Sequence, residues 1–182
     1  EVKVKNPYVD QLKIEGGIGL ISNRLTLTMP LVKDKLMLIA GGRTGFSDIL
    51  FPLLVPRLKN TRANFFDSTV KLLYLLNSNN QITYTNFISN DFYQLDLISS
   101  VENIVSSSNQ YDFKTRNHTL KWLHTFENNT NLINRLIHST YTPQNLFPEV
   151  DSENVIRFES QIQYSSIQSE YSNTKREDLS YY

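Results

Sequence analysis

Three histidines, His118, His124 and His138, are the first side chains with coordination chemistry to offer. An even separation puts His118 and His124 on one side of any strand that holds both, because side chains alternate across a strand. A metal centre needs further ligands converging from neighbouring strands. No cluster of that kind can be read here, and solvated or interfacial histidines are the simpler account. Asp67, Asp91, Asp96 and Asp112 are placed near loops where calcium could bind, but their spacing is not that of a calcium loop, and solvated loop carboxylates are the simpler account. Gly41-Gly42-Arg43-Thr44-Gly45 lacks the lysine and the following helix that a phosphate loop requires. It reads instead as a strand whose small residues let something pack against it. Serine, aspartate and histidine are all present, yet no Gly-x-Ser-x-Gly elbow sets up a nucleophile. Asn117-His118-Thr119 and Asn128-Asn129-Thr130 match the glycosylation pattern only incidentally. These residues lead to the expectation of no enzyme, no cofactor and no metal.

The 182 residues contain no cysteine, which removes disulfides, thiol nucleophiles and cysteine-based metal sites. Basic and acidic residues balance at 18 each, so no overall field draws in nucleic acid, and none is expected as a partner. Ten Tyr, ten Phe and Trp122, with Asn and Ser clustered between apolar stretches, suit strands separated by turns. Only Ala40 and Ala63 supply alanine, a poor basis for a helical bundle. No apolar run is long enough for a transmembrane helix.

Polar turns punctuate the chain at Lys33-Asp34-Lys35, Asn77 to Asn80 and Glu127 to Thr130, with a fourth at Ser172 to Glu177. They recur about every 44 to 50 residues. Each interval holds two stretches of period-two alternation around a longer connection. Leu25, Leu27, Met29 and Leu31 alternate with Arg24, Thr26 and Thr28; Leu120, Trp122 and His124 alternate with Thr119, Lys121 and Leu123. Such a pattern has one oily and one wetter face. About eight strands are expected, each roughly 10 to 14 residues long, against 5 to 6 in ordinary globular sheets and about 9 to 11 for a strand tilted across a bilayer. Longer connections are expected at Asp48 to Thr61, Leu95 to Gln110 and Pro143 to Glu159, with a tight two-residue turn at Ser22-Asn23. Short turns at one end and long loops at the other are the asymmetry of outer-membrane barrels.

A sheet can cross lipid only when closed, since hydrocarbon offers no partner to a backbone amide. The fold class expected is all-β, an antiparallel up-and-down transmembrane β-barrel segment. Lys13, Glu15, Arg24, Arg43 and Lys71 fall on the wetter, lumen-facing side of the pattern. Phe46, Phe65, Phe66, Tyr84, Trp122 and Phe126 are placed at the interfacial girdles.

Gly16-Gly17-Ile18-Gly19-Leu20-Ile21-Ser22-Asn23-Arg24-Leu25-Thr26-Leu27, followed by Pro30, Lys33-Asp34-Lys35 and Gly42-Arg43, resembles the first barrel strands of TonB-dependent receptors, closest to the branch that carries a carboxypeptidase-like regulatory domain. Ala63 to Asp67 with Val70-Lys71-Leu72, then Asn77 to Gln81, then Asp91-Phe92-Tyr93, resemble the strand, turn and strand that come next. The likeness spans about residues 12 to 93 and departs from the pattern at Thr28-Met29 and Thr44. It implies that residues 1–182 are part of a barrel of about 22 strands, with a plug domain before Glu1 and further strands after Tyr182. It further implies an outer-membrane location and nutrient uptake, of a metal chelate or an oligosaccharide, driven by a TonB system. Outer-membrane lipid, the plug and a surface lipoprotein are the partners it brings. Two other readings stand beside it: a small, complete eight-stranded outer-membrane barrel with a structural or adhesive role, and a soluble propeller, whose blades would need four short strands per repeat.

Overall fold

A computed structural model of the chain describes residues 9–46, 55, 61–96, 108–128, 130–148 and 155–173. Among them there is no helix, and nine strands form one antiparallel sheet. They are β1 (Lys13–Ile18), β2 (Ser22–Val32), β3 (Leu36–Phe46), β4 (Arg62–Asn77), β5 (Asn80–Asp96), β6 (Ser108–Thr125), β7 (Thr130–Pro148), β8 (Val155–Glu159) and β9 (Ile162–Asn173). Each strand from β1 to β8 pairs with the next in sequence, and β9 pairs with β7. The expected up-and-down, antiparallel all-β architecture is therefore present. The sheet of described residues is open, with β1 at one edge and β8 and β9 at the other. It has no second layer and no division into four-stranded blades.

β8 and β9 are one strand in two pieces. Both keep a single continuous register against β7, from Pro148↔Val155 to Thr130↔Asn173. The interruption lies at Ser160 and Gln161, opposite Pro143. The Ser160 amide donates to the Pro143 carbonyl at 3.1 Å. In an antiparallel pair the return bond would come from the amide of residue 143, and proline has none. Counted this way, the sheet has the expected eight strands.

The short turns hold because the right side chains stand at them. Asp34 has φ 57°, a left-handed conformation that a short polar side chain tolerates, and the Lys35 amide closes the turn on the Val32 carbonyl at 3.1 Å. The Asn77 side chain accepts from the Asn79 amide and from the Asn80 side chain, both at 3.0 Å. Asn128 accepts from the Thr130 amide at 3.2 Å. The first hairpin differs from expectation. Its turn is Gly19-Leu20-Ile21, not Ser22-Asn23, because Asn23 is a strand residue opposite Ile18. The Gly19 amide bonds the Ser22 carbonyl at 3.0 Å and the Asn23 side chain at 3.3 Å. A Cβ on Gly19 would meet that same carbonyl at 3.0 Å, so the turn calls for glycine.

Strand length also departs from expectation. β4 to β7 run 16, 17, 18 and 19 residues. Most of the connection expected from Pro143 to Glu159 is strand, and β5 continues to Asp96 while β6 starts at Ser108. These extensions carry polar residues on both faces. Backbone pairing continues there without any change in side-chain pattern to mark it. The fourth expected turn begins at the end of β9, and its remainder lies outside the described residues, as does most of Asp48 to Thr61.

Successive short turns are staggered in one direction. Leu36 opens β3 opposite Tyr74, and β4 runs on to Asn77; Asn80 opens β5 opposite His124, and β6 runs on to Thr125. A steady stagger means that the strands tilt relative to the line of turns, the relation that closing a barrel demands.

Candidate functional site

Alternation along each strand and the register between strands assign every strand residue to one of two faces. One, the Lys71 face, includes the row Lys13, Thr28, Ile39, Lys71, Thr85, Thr119, Ile137 and Ser166. The other, the Leu120 face, includes the row Met29, Leu38, Leu72, Tyr84, Leu120, Leu136 and Ile167. Burial is lopsided. The buried strand residues Thr28, Met37, Lys71, Leu73 and Thr83 are on the Lys71 face, with Thr130 at the start of β7 the exception on the other, whereas Leu25, Tyr74, Leu120, Trp122, Leu136 and Ile167 on the Leu120 face are exposed. In a single curled sheet, side chains crowd on the concave side.

The register brings Lys13, Glu15, Arg24, Arg43 and Lys71 together on the Lys71 face. Lys13 and Glu15 pair at 2.9 Å in solvent. Arg43 grips Asp67 with two nitrogens, Nε at 2.9 and 3.1 Å from its two oxygens and a terminal nitrogen at 2.6 Å. Its guanidinium also lies 5.9 Å from the Phe65 ring centre, within cation–π range. The Phe65 ring lies over Gly45 on β3, where any Cβ would collide with it. Within the stretch Gly41 to Gly45 it is Gly45 that makes room for this ring; a Cβ on Gly41 would meet Thr26 instead.

Lys121 and Arg135, opposite each other on β6 and β7, extend the charged face, and Arg135 reaches Glu170 at 2.9 Å. Asp67, Asp91 and Asp112 are strand residues, not the loop carboxylates anticipated. Asp67 serves Arg43, and Asp112 pairs with Lys114 at 2.9 Å. Among the described residues, no three histidine or acidic side chains gather as a metal site would need.

Nearer the long connections, the Lys71 face carries a field of rings. Tyr93, Tyr111, Phe113, Tyr141, Phe147 and Phe158 adjoin one another with centres 5.9 to 6.5 Å apart. Tyr93, Tyr141 and Phe158 remain exposed. Rings held at these separations attract one another and, where exposed, present flat apolar faces. Period-two reading missed this field, because its strands lie partly in the stretches taken for loops. The signal it left was aromatic residues two apart, Tyr111 with Phe113.

The Leu120 face has the opposite chemistry. From the short turns up to the row of Ile14, Leu27, Ala40, Val70, Asn86, His118 and His138, it holds no Lys, Arg, Asp or Glu among the described strand residues. Charged residues at that height, Lys13, Lys71, Lys121, Arg135 and Glu170, are all on the other face. The polar groups present bond one another. Tyr84 and His118 share a contact of 2.9 Å, Trp122 donates to Asn80 at 3.1 Å, and His138 meets Ser165 at 2.9 Å. His118 and His124 do share a face, as their spacing requires, and His138 stands directly opposite His118. Of the aromatics placed at girdles, Phe66, Tyr84 and Trp122 are on this face, while Phe65 is on the other, held over Gly45.

No helix among the described residues is long and apolar enough to cross a membrane; an all-β chain of this kind is compatible with an outer-membrane strand protein. Compared with family models, curated proteins and solved structures, the chain has no match.

Proposed function

We propose that this chain is a stretch of wall in an outer-membrane β-barrel transporter, with the Leu120 face on lipid and the Lys71 face lining a wet lumen. The segregation of charge carries the reading. In water there is no reason to keep every Lys, Arg, Asp and Glu out of this band of one face, from the short turns to the row of His118, while leaving Leu120, Leu136 and Ile167 exposed on it. In a bilayer there is, since a charge on the lipid side is costly.

The resemblance of residues 12 to 93 supplies the functional part. The wall would surround a plug, admit a nutrient such as a metal chelate or an oligosaccharide, and depend on a TonB system, with a surface lipoprotein as a further partner. Arg43, Asp91 and the exposed rings would then line the entrance. The smaller, complete eight-stranded barrel is less well supported, because it needs β1 paired to β9 and the described sheet leaves both edges open.

Single cysteines test orientation, as the chain has none of its own. Spin labels on Leu120→Cys and Lys121→Cys in the reconstituted full-length protein are expected to divide. The first should be accessible to oxygen dissolved in lipid, the second to a water-soluble nickel chelate. Equal accessibility of both to the chelate rejects the lipid face. Uptake of the nutrient that continues unchanged without TonB energisation rejects the transporter.

A further inference from the structure

We infer that the Leu120 face binds a membrane lipid with a phosphate headgroup, Arg116 and Lys114 taking the phosphate and the apolar rows below taking the acyl chains. The inference rests on the membrane reading above and adds a partner to it. β6 carries four consecutive same-face residues that change character in order: Leu120, His118, Arg116, Lys114. The two cations are the first charges above the charge-free band on this strand. Arg116 stands opposite Ile88 and Thr140, and Lys114 opposite Asn90 and Thr142, so no carboxylate faces either across the sheet. Asp112, the acid of this column, is engaged by Lys114. No ion pair holds Arg116 among the described residues, and its side chain is exposed.

A guanidinium presents a planar fork of donors that fits phosphate oxygens, and a lysine beside it adds a point charge. Thr140 and Thr142 border the pair with hydroxyls able to donate to the same oxygens. The band underneath decides between a soluble anion and a lipid. Arg116 is four residues from Leu120, about 14 Å along a strand, and Leu136 and Ile167 continue Leu120's row sideways. A headgroup at Arg116 places its chains on those side chains. A free phosphate would leave them bare.

The test reconstitutes the full-length protein in phosphatidylcholine bilayers containing either brominated phosphatidic acid or brominated phosphatidylcholine. Trp122 lies exposed on the same face, and the fluorescence lost in Trp122→Phe reports the lipid beside it. Phosphatidic acid is expected to be enriched about ten-fold at Trp122 over the bulk bilayer. The enrichment should vanish in Arg116→Gln with Lys114→Gln and largely persist in Arg116→Lys. Equal quenching by the two lipids, or enrichment unchanged by the double substitution, overturns the site while leaving the barrel standing. Displacement by millimolar inorganic phosphate overturns the choice of a lipid over a soluble anion. Absence of quenching by either lipid overturns the membrane reading itself, and this proposal with it.

Discussion

Arg43 and Asp67 stand opposite each other on β3 and β4 and are unequally covered: the arginine side chain is 62% exposed and the aspartate 14%. Loss of either partner breaks the same contacts, but what remains differs. Without Arg43 a mostly covered carboxylate loses its donors; without Asp67 a cation is left that water already reaches. Arg43→Ala is therefore expected to lower stability by about 1–2 kcal/mol and Asp67→Ala by less than about 1 kcal/mol. Urea midpoints of the detergent-folded protein measure both, and equal losses would contradict the asymmetry. The placing of Lys13, Glu15 and Arg24 on one face was legible beforehand, because they lie where period two is clean; Arg43 stands in the Gly-rich end of its stretch and Lys71 among leucines on both faces, so their place follows only from the register. Asp67 as the partner of Arg43 was not legible either. That pairing depends on the register between strands 24 positions apart, and no local pattern encodes it.

The same limit shows among the strands. Turn chemistry marked Asp34, Asn77 and Asn128 correctly, since each asparagine or aspartate acts within two or three residues of itself. Strand ends away from the turns were read short. Period two persists only while one face is oily, and β5 to β7 continue past that point with polar residues on both sides. Pro143 was taken as the start of a loop. It is instead a strand residue whose missing amide splits β8 from β9. Pro143→Thr supplies the donor that the Ser160 carbonyl lacks and should join the two pieces. A gain of about 1 kcal/mol is expected, with slower hydrogen exchange at the amides of residues 160 and 161. Unchanged exchange there would mean that the proline is not what breaks the pairing.

For the molecule as a whole, the separation of charge between faces is the property most open to challenge. A cation placed within the oily band should be expensive in a bilayer and cheap on the opposite face. Leu136→Arg is expected to cost about 2–4 kcal/mol, and Ser139→Lys, on the Lys71 face, less than about 1 kcal/mol. Folding titrations into lipid vesicles compare the two directly. Similar costs would remove the distinction on which the transport reading depends.

The neighbour-to-neighbour order of the sheet has a consequence for how the chain is made. Every pairing from β1 to β9 joins segments that adjoin in sequence once β8 and β9 are taken as one. Within the described sheet no pairing waits for a distant part of the polypeptide, so loop-closure entropy stays small at each step. The sheet can grow hairpin by hairpin along a single moving edge, each new ribbon aligned by its own turn before it docks.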